Sequence, residues 1–384
     1  MSRPDAPADP LETRSADERR ADQDARLRDL AGFGLDTLAD RPVLRKSELA
    51  ARQAADRPFG GMTVSNVATL HQSPGPIYEP GGAGADWWRL GRFLRAAGIG
   101  PGDVVQNCFG YHLTPAGHMF ESGARAVGAA VIPAGTGQTD LQVRAAVDLA
   151  ATAYAGTPDY LKVILDRADA MGEVLNVTRA AVGGGALFPS LRAEYAERGI
   201  ACLQCYATAD LGNIAYESAA QEGMIVDEGV IVEIVRPGTG DPVTDGAVGE
   251  VVVTALNPDY PLIRFATGDL SAIMPGASPC GRTNMRIAGW MGRADQTAKV
   301  KGMFVRPEQV AELVARHPEI RAARVTVTRE NEMDAMEVAV EAEAGDAGAW
   351  AESVAQVLKL RGRVVRVDAL PNDGKVIDDR RDYS

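Results

Sequence analysis

The feature that most constrains this chain is an alternation of two periodicities between Asp86 and Tyr206. Segments with apolar residues at helical spacing, such as DWWRLGRFLRAAG (86–98), give way through Gly- or Pro-containing turns to short apolar runs such as VVQNCF (104–109). The pattern continues as helix 114–128, buried strand 129–133, helix 140–149 and strand 151–155. Helix 158–171, a strand at 180–184 running into glycines, helix 189–198 and strand 200–206 complete it. Parallel strands need long crossovers, and a helix supplies one compactly, so this order predicts a largely parallel sheet covered by helices. The texture changes near Gly223: VIVEIVRPGTGDPV and GEVVVTAL read as antiparallel strands around a Gly238–Asp241 turn. Beyond Gly289 a strand–helix–strand–strand–helix–strand order predicts a compact α+β unit. The expected fold is therefore α/β: a large N-terminal domain of parallel sheets with helices (41–294) carrying a β subdomain (about 223–290), and a small, mobile α+β C-terminal domain (296–384). Residues 1–40 form a charged arm, expected to be solvated and partly helical.

Composition narrows the function. The chain has 384 residues, 46% of them hydrophobic, which is ample for two or three cores. No apolar run approaches the roughly 18 residues of a membrane span, and the first thirty residues lack an apolar signal core. Neither membrane insertion nor secretion is expected. Four sparse cysteines point to a reducing, cytoplasmic setting rather than a disulfide framework. The net charge of −12 argues against a nucleic-acid partner. Only six lysines occur, at 46, 162, 299, 301, 359 and 375, so each is conspicuous.

Two local patterns bear chemistry on their own. In YPLIRFATGDL (260–270) an apolar strand is expected to break into a tight turn at 266–269 and present Asp269. A carboxylate on a rigid strand end suits bidentate contact with paired hydroxyls; a turn aspartate capping its own backbone is the alternative. Cys202-x-x-Cys205 with Cys280 has thiolate spacing reminiscent of zinc, but no fourth ligand is evident, so core cysteines are expected and zinc is not. His71–Gly84 (HQSPGPIYEPGGAG) reads as a loop by its proline and glycine content, and Ser47 as a helix N-cap.

The order TGD (267–269), then GRxDxxxKxxG (292–302), then PxxGK (371–375) resembles the adenylate-forming superfamily. Within it, PVLRKSEL, GYHLTPAGHMFESGARAVGAAVIPAGTGQT, AYAGTPDYL and QCYATADLG are most similar to the phenylacetate–CoA ligase and coenzyme F390 synthetase branch, over roughly residues 42–379. The resemblance implies ATP-dependent activation of a small, aryl-sized carboxylic acid as acyl-adenylate, then transfer to the thiol of CoA, with Mg2+ as cofactor. It leaves a homodimer open. By resemblance, Asp269 would hold the ribose and Arg293 the ribose and phosphate. Tyr206 would stack on adenine, with Gly183, Gly184, Gly185, Ala207, Thr208 and Ser73 completing the nucleotide site. Asp210 would associate with magnesium through the phosphates. Lys375 would neutralise charge at the α-phosphate, a role that an ammonium at a glycine turn suits. Phe109, Tyr111, His112, Ala134, Gly135 and Thr136 would line the acid pocket. Asp295 would be the hinge, with Lys301 and Gly302 on the CoA route.

The chain departs from the family where a Ser/Thr/Gly-rich phosphate loop with a lysine should stand. It has Ser73-Pro-Gly-Pro-Ile-Tyr-Glu79-Pro instead, where prolines remove N–H donors and Glu79 would repel phosphate unless Mg2+ intervened. A non-catalytic nucleotide- or acid-binding descendant, or an adenylating enzyme with a non-CoA acceptor, are the alternatives to an acid–thiol ligase.

Overall fold

The computed structural model describes residues 7, 9–73, 77–294, 297–330, 332–371 and 375–381. The chain divides into two compact units, 1–292 and 293–384. Among the described residues no helix is long and apolar enough to cross a membrane.

The alternating segments build a nine-stranded sheet in the first unit. From one edge its strands are Ala130–Pro133, Val104–Asn107, Ala153–Gly156, Arg179–Val182 and Ala201–Thr208, all parallel. Gly212–Tyr216, Met224–Val226, Arg286–Ile287 and Ile273–Met274 then continue it antiparallel. Helices cover both faces of the parallel part. Phe93 and Leu94 of Gly91–Ala96 and Phe120 of Ala116–Ala126 pack on Val105, Ala155, Leu203 and Cys205. Leu161 of Pro158–Met171 and Leu191 of Pro189–Glu197 pack on Tyr154, Ala180, Val182 and Cys202 from the other side. Successive strand residues face opposite ways, so each strand feeds both cores and reads as a continuous apolar run.

Four local expectations change. The strand at Ala130–Pro133 lies at the sheet edge and is half exposed, not buried, because nothing pairs beyond it. The helix expected over 86–98 covers only Gly91–Ala96: Asp86 and Arg89 take positive φ (52° and 64°), and the Asp86 carboxylate accepts from the Gly91 N–H. The N-cap position of the helix Lys46–Ala55 falls on Arg45 rather than Ser47, and the Arg45 side chain makes no capping hydrogen bond. The presumed loop at 71–84 is instead an antiparallel hairpin of Val67–Ser73 and Ile77–Gly82, with His71 opposite Glu79 and Leu70 opposite Pro80. A two-stranded ribbon tolerates Pro80 because each strand has one edge with no neighbouring strand, where a missing N–H breaks no ladder bond.

A second sheet orders Leu44–Arg45, Phe265–Ser271, Gly249–Ala255 and Val230–Val235. The N-terminal arm docks on this unit rather than fraying in solvent. Its helix, Ala16–Ala31, starts with a Ser15–Glu18 capping box. Arg14 and Arg19 bind the buried Glu228 at 2.5 and 2.9 Å, while the buried Glu12 accepts from Arg282 at 2.7 Å and from the Tyr216 hydroxyl. Polar contacts of this kind leave no amphipathic stripe for a sequence reading to find. Arg264, inside the apolar run, is fully buried and donates to Glu233 and to the carbonyls of Ala39, Arg41 and Gly240 at 2.6–3.0 Å. It fastens the chain after the arm to the sheet.

The second unit opens with a hairpin of Ala298–Val300 and Met303–Val305. Lys301 and Gly302, both at positive φ (47° and 83°), make its two-residue turn, whose twist matches the flanking strands. A four-stranded sheet follows in the order Arg363–Val367, Met333–Glu341, Ala322–Glu330, Ile377–Asp379. Pro307–Arg316 and Ala347–Leu358 cover it through Val310, Leu313, Trp350 and Val354. The three-residue strands 303–305 and 377–379 were too short to show a period.

Candidate active site

Asp269 does not sit in a turn after a strand; it lies within the strand Phe265–Ser271. Along the neighbouring strand Gly249–Ala255, Glu250 pairs with Leu270 but Val252 pairs with Ala266, so two extra residues bulge out around Gly268. Gly268 takes φ 75°, which a side chain would resist. The bulge re-aims Asp269 while keeping its backbone anchored. The Tyr206 hydroxyl donates to Asp269 Oδ2 at 2.8 Å and lies 3.0 Å from Thr267 Oγ1; the Trp290 indole donates to Oδ1 at 3.0 Å. Thr267 in turn donates to the Val251 carbonyl at 3.0 Å and accepts the Asp269 N–H at 3.1 Å. Tyr206 comes from the end of the parallel sheet and Trp290 from the segment after Arg286–Ile287, so three chain segments converge on one carboxylate. Trp290 carried no sequence signal beyond its place between the motifs.

A second cluster gathers Asp210, Lys46, Glu79 and Ser73. The Thr208 hydroxyl accepts the Leu211 N–H at 3.2 Å, turning the chain after the strand Ala201–Thr208 so that Asp210 points into the protein. Lys46, at the start of its helix, places Nζ 2.5 Å from Asp210 Oδ2. On the hairpin, Ser73 donates to Glu79 Oε1 at 2.5 Å, and Glu79 is 1% exposed. Burial first, then the neighbouring Asp210, push the Glu79 carboxyl up to about 8, against the opposing pull of Lys46. Among the described residues neither Asp210 Oδ1 nor Glu79 Oε2 has a hydrogen-bond donor, which a proton held on Glu79 and shared with Asp210 satisfies. Lys46 was missed as a site residue although it stands in PVLRKSEL and is one of only six lysines.

This pair has a measurable signature. A carboxyl whose folded value is raised from 4.5 to about 8 contributes its stability fully below 4.5 and loses it as pH rises through 8. Glu79→Gln is therefore expected to flatten the fall in melting temperature between pH 5 and roughly 8.5, an effect of a few kcal/mol at most. Unchanged pH dependence in thermal melts of the variant would contradict the shared proton.

The other sequence candidates fall in several places. Gly183 is buried against the sheet; a Cβ there would stand 2.9 Å from Cys205 Sγ, so a side chain would force a neighbour to shift. Gly184 and Gly185 are exposed, and Ala207 and Thr208 half-buried. Tyr111, half-buried, accepts from Asn107 Nδ2 at 2.7 Å, sets its ring edge-on to His118 at 5.1 Å, and lies beside Gly135. Ala134 and Gly135 are half-buried, whereas His112 and Thr136 are exposed, and Phe109 is stacked on Phe120 in the core at 4.2 Å. His71, buried 5.0 Å from His118, was not anticipated; burial first and His118 second lower it to about 4, so it is neutral at pH 7. Cys202 and Cys205 belong to opposite faces of the sheet, so they form no shared thiolate pair. Among the described residues no group of three or more His, Cys, Asp or Glu could hold a metal ion.

In the second unit, Arg293 is half-buried with its guanidinium 5.8 Å from the Phe304 ring centroid. Lys301 and Gly302 are exposed at their turn, the Lys301 N–H donating to Asp334 at 2.8 Å. Lys375, half exposed, pairs with Asp378 at 3.0 Å. Asp295 lies outside the described residues.

No family model matches the chain. It is 30% identical to the phenylacetate–coenzyme A ligase of Thermus thermophilus over 82% of this chain and 74% of that protein. It is likewise 30% identical to the Aromatoleum evansii phenylacetate–coenzyme A ligase over 87% of this chain and 84% of that protein, and 28% identical to the Escherichia coli one over 96% and 93%. In fold it matches a 2-hydroxyisobutyryl-CoA ligase crystallised with 2-HIB-AMP and CoA, at a TM-score of 0.82 and 24% identity, over 97% of this chain and 92% of that one. An amide bond synthetase from Marinactinospora thermotolerans shares the fold at a TM-score of 0.59 and 20% identity, over 84% of this chain and 71% of that one. On sequence and fold together, the chain belongs to the phenylacetate–coenzyme A ligase family of adenylate-forming enzymes.

Proposed function

We propose that this protein activates a small, aryl-sized carboxylic acid with ATP and passes the acyl group to coenzyme A. The observation that carries the reading is Asp269, a buried carboxylate oriented by Tyr206 and Trp290 on a bulged strand. A carboxylate fixed from both sides is preorganised to accept the paired hydroxyls of a ribose. Tyr206 then serves twice, its hydroxyl orienting Asp269 and its ring lying toward adenine beside Gly183–Gly185, Ala207 and Thr208. Arg293 would contact ribose and phosphate. Tyr111 with Ala134 and Gly135 would line the acid site, and Lys301 and Gly302 the thiol route.

The acid's carboxylate oxygen attacks the α-phosphorus and pyrophosphate leaves; the CoA thiolate then attacks the acyl carbon and AMP leaves. Lys375 would neutralise the charge that grows on the α-phosphate in the first step. Glu79 does not oppose phosphate binding, since a carboxyl raised to about 8 is largely protonated at pH 7. Asp210, a hard carboxylate of the kind magnesium takes, would associate with the ion through the phosphates, and the ion would supply neutralising charge for the triphosphate. The four unpaired cysteines suit work in a reducing cytoplasm.

Labelled pyrophosphate exchange into ATP, run with a panel of aryl acids, tests the reading. Acid-dependent exchange is the expected result. Absence of exchange with every acid, together with no ATP or AMP binding by calorimetry, would sink it.

A further inference from the structure

The residue that carries Lys375's charge is held by machinery of its own. Lys375 is 55% exposed along its side chain, yet its Nζ lies 3.0 Å from Oδ1 of Asp378, whose side chain is only 11% exposed. The other oxygen of Asp378 accepts from Arg380 Nε at 2.7 Å. Asp378 itself cannot wander: it sits on the strand Ile377–Asp379, in register with Thr326 of the strand Ala322–Glu330. The Val325 N–H donates to the Val376 carbonyl at 3.0 Å and the Arg380 N–H to the Val327 carbonyl at 2.8 Å, fixing the chain on both sides. From the same strand the buried Arg324 reaches back, donating through Nε to the Lys375 carbonyl and through a second nitrogen to the Pro371 carbonyl, each at 2.9 Å. One planar guanidinium thus holds the carbonyls of both Pro371 and Lys375.

We infer that Asp378 is a positioning residue for Lys375, holding the ammonium above the strand end so that it meets the α-phosphate already oriented, with Arg324 fixing the backbone beneath it. The physical case is entropic and electrostatic. A lysine side chain has many rotamers to lose, and a buried carboxylate three residues on restricts that freedom before substrate arrives. Against the upward push of burial, hydrogen bonds from Arg380 and Lys375 hold Asp378 below the usual carboxylate range, so it stays charged in the working range of pH. Arg380, by occupying Oδ2, aims Oδ1 at the lysine. This inference rests on the proposed role of Lys375 in acid activation.

The test compares four proteins: wild type, Asp378→Asn, Lys375→Ala and the double variant. Pyrophosphate exchange is measured beside thioester formation from preformed acyl-adenylate and a thermal melt. Asp378→Asn is expected to lower the exchange kcat by roughly tenfold to a hundredfold, leaving KM for ATP, the thioester step and the melting temperature near wild type. In the double variant Asp378→Asn should add nothing to the loss caused by Lys375→Ala, since a residue acting only through Lys375 has nothing left to position. Exchange unchanged in Asp378→Asn while Lys375→Ala is impaired overturns the inference and spares the lysine's role. A further loss in the double variant, or a parallel fall in both half-reactions and the melting temperature, also overturns it, by marking Asp378 as structural. Unaffected exchange in Lys375→Ala removes the role of Lys375 and the inference with it. Residue-resolved labelling of Lys375 by an amine-selective reagent reads the tether without any activity: faster labelling in Asp378→Asn is expected, and an equal rate denies the tether.

Discussion

Lys375→Ala is expected to reduce acid-dependent pyrophosphate exchange by roughly a hundredfold or more while leaving ATP affinity close to wild type. The asymmetry follows from where charge develops. In the ground state the α-phosphate already bears its negative charge among other donors, whereas attack by the acid's carboxylate crowds further negative charge onto the same phosphorus. A cation that is felt mainly in that crowded state lowers the barrier without tightening ground-state binding. Lys375 is half exposed and paired to Asp378 rather than buried in a core, so its removal should barely move the melting temperature. Exchange kinetics with a saturating acid, alongside calorimetric ATP binding, decide the matter. Equal loss of binding and turnover would assign Lys375 to nucleotide capture instead.

Asp269→Ala should act in the opposite sense, on binding and stability together. The substitution takes away the proposed ribose acceptor, and it strips the Tyr206 hydroxyl and the Trp290 indole of a buried acceptor. A buried donor left without its partner costs about 1–3 kcal/mol, so the variant is expected to melt lower than wild type. Nucleotide affinity should fall by two orders of magnitude, in line with a charge-assisted pair of hydrogen bonds worth roughly 3 kcal/mol. Asp269→Asn separates the two effects: the amide keeps an acceptor but offers donors where the protein already donates. It should retain more stability than alanine and still bind nucleotide weakly. Calorimetry with AMP and a melt of each variant provide the check. Wild-type affinity in both would remove Asp269 from the nucleotide site.

The same residue marks the line between what the sequence could tell and what it could not. Its chemistry was legible, because TGD followed by GRAD and GK is an ordered set of short motifs whose combination is rarer than any part. The alternating helix and strand periods made the parallel sheet legible too, since buried strands and their covering helices impose opposite spacings on apolar residues. What failed were features fixed by partners distant in sequence. The bulge around Gly268 exists because Gly249–Ala255 pairs alongside with a register shift, which no local pattern encodes. The paired strands Val67–Ser73 and Ile77–Gly82 hid behind proline and glycine, which signal a loop unless one knows that neither strand has a second neighbour. The arm's grip on Glu228 and Arg282 is polar and scattered, and so leaves no periodicity.

Sequence alone thus determined the class of fold, the family and the residue types available for chemistry, because periodicity and ordered motifs are local properties of the chain. Only the tertiary structure decided which side chains meet. It joined Lys46 to Asp210 across 164 positions and set Glu79 against both, turning a carboxylate that looked repulsive into a protonated partner. It drew Tyr206 and Trp290 onto Asp269, and it set Cys202 and Cys205 on opposite faces of one sheet. The physical reason is the same in each case. Burial, desolvation and hydrogen-bond geometry depend on neighbours in space, and folding brings together residues that the sequence keeps far apart.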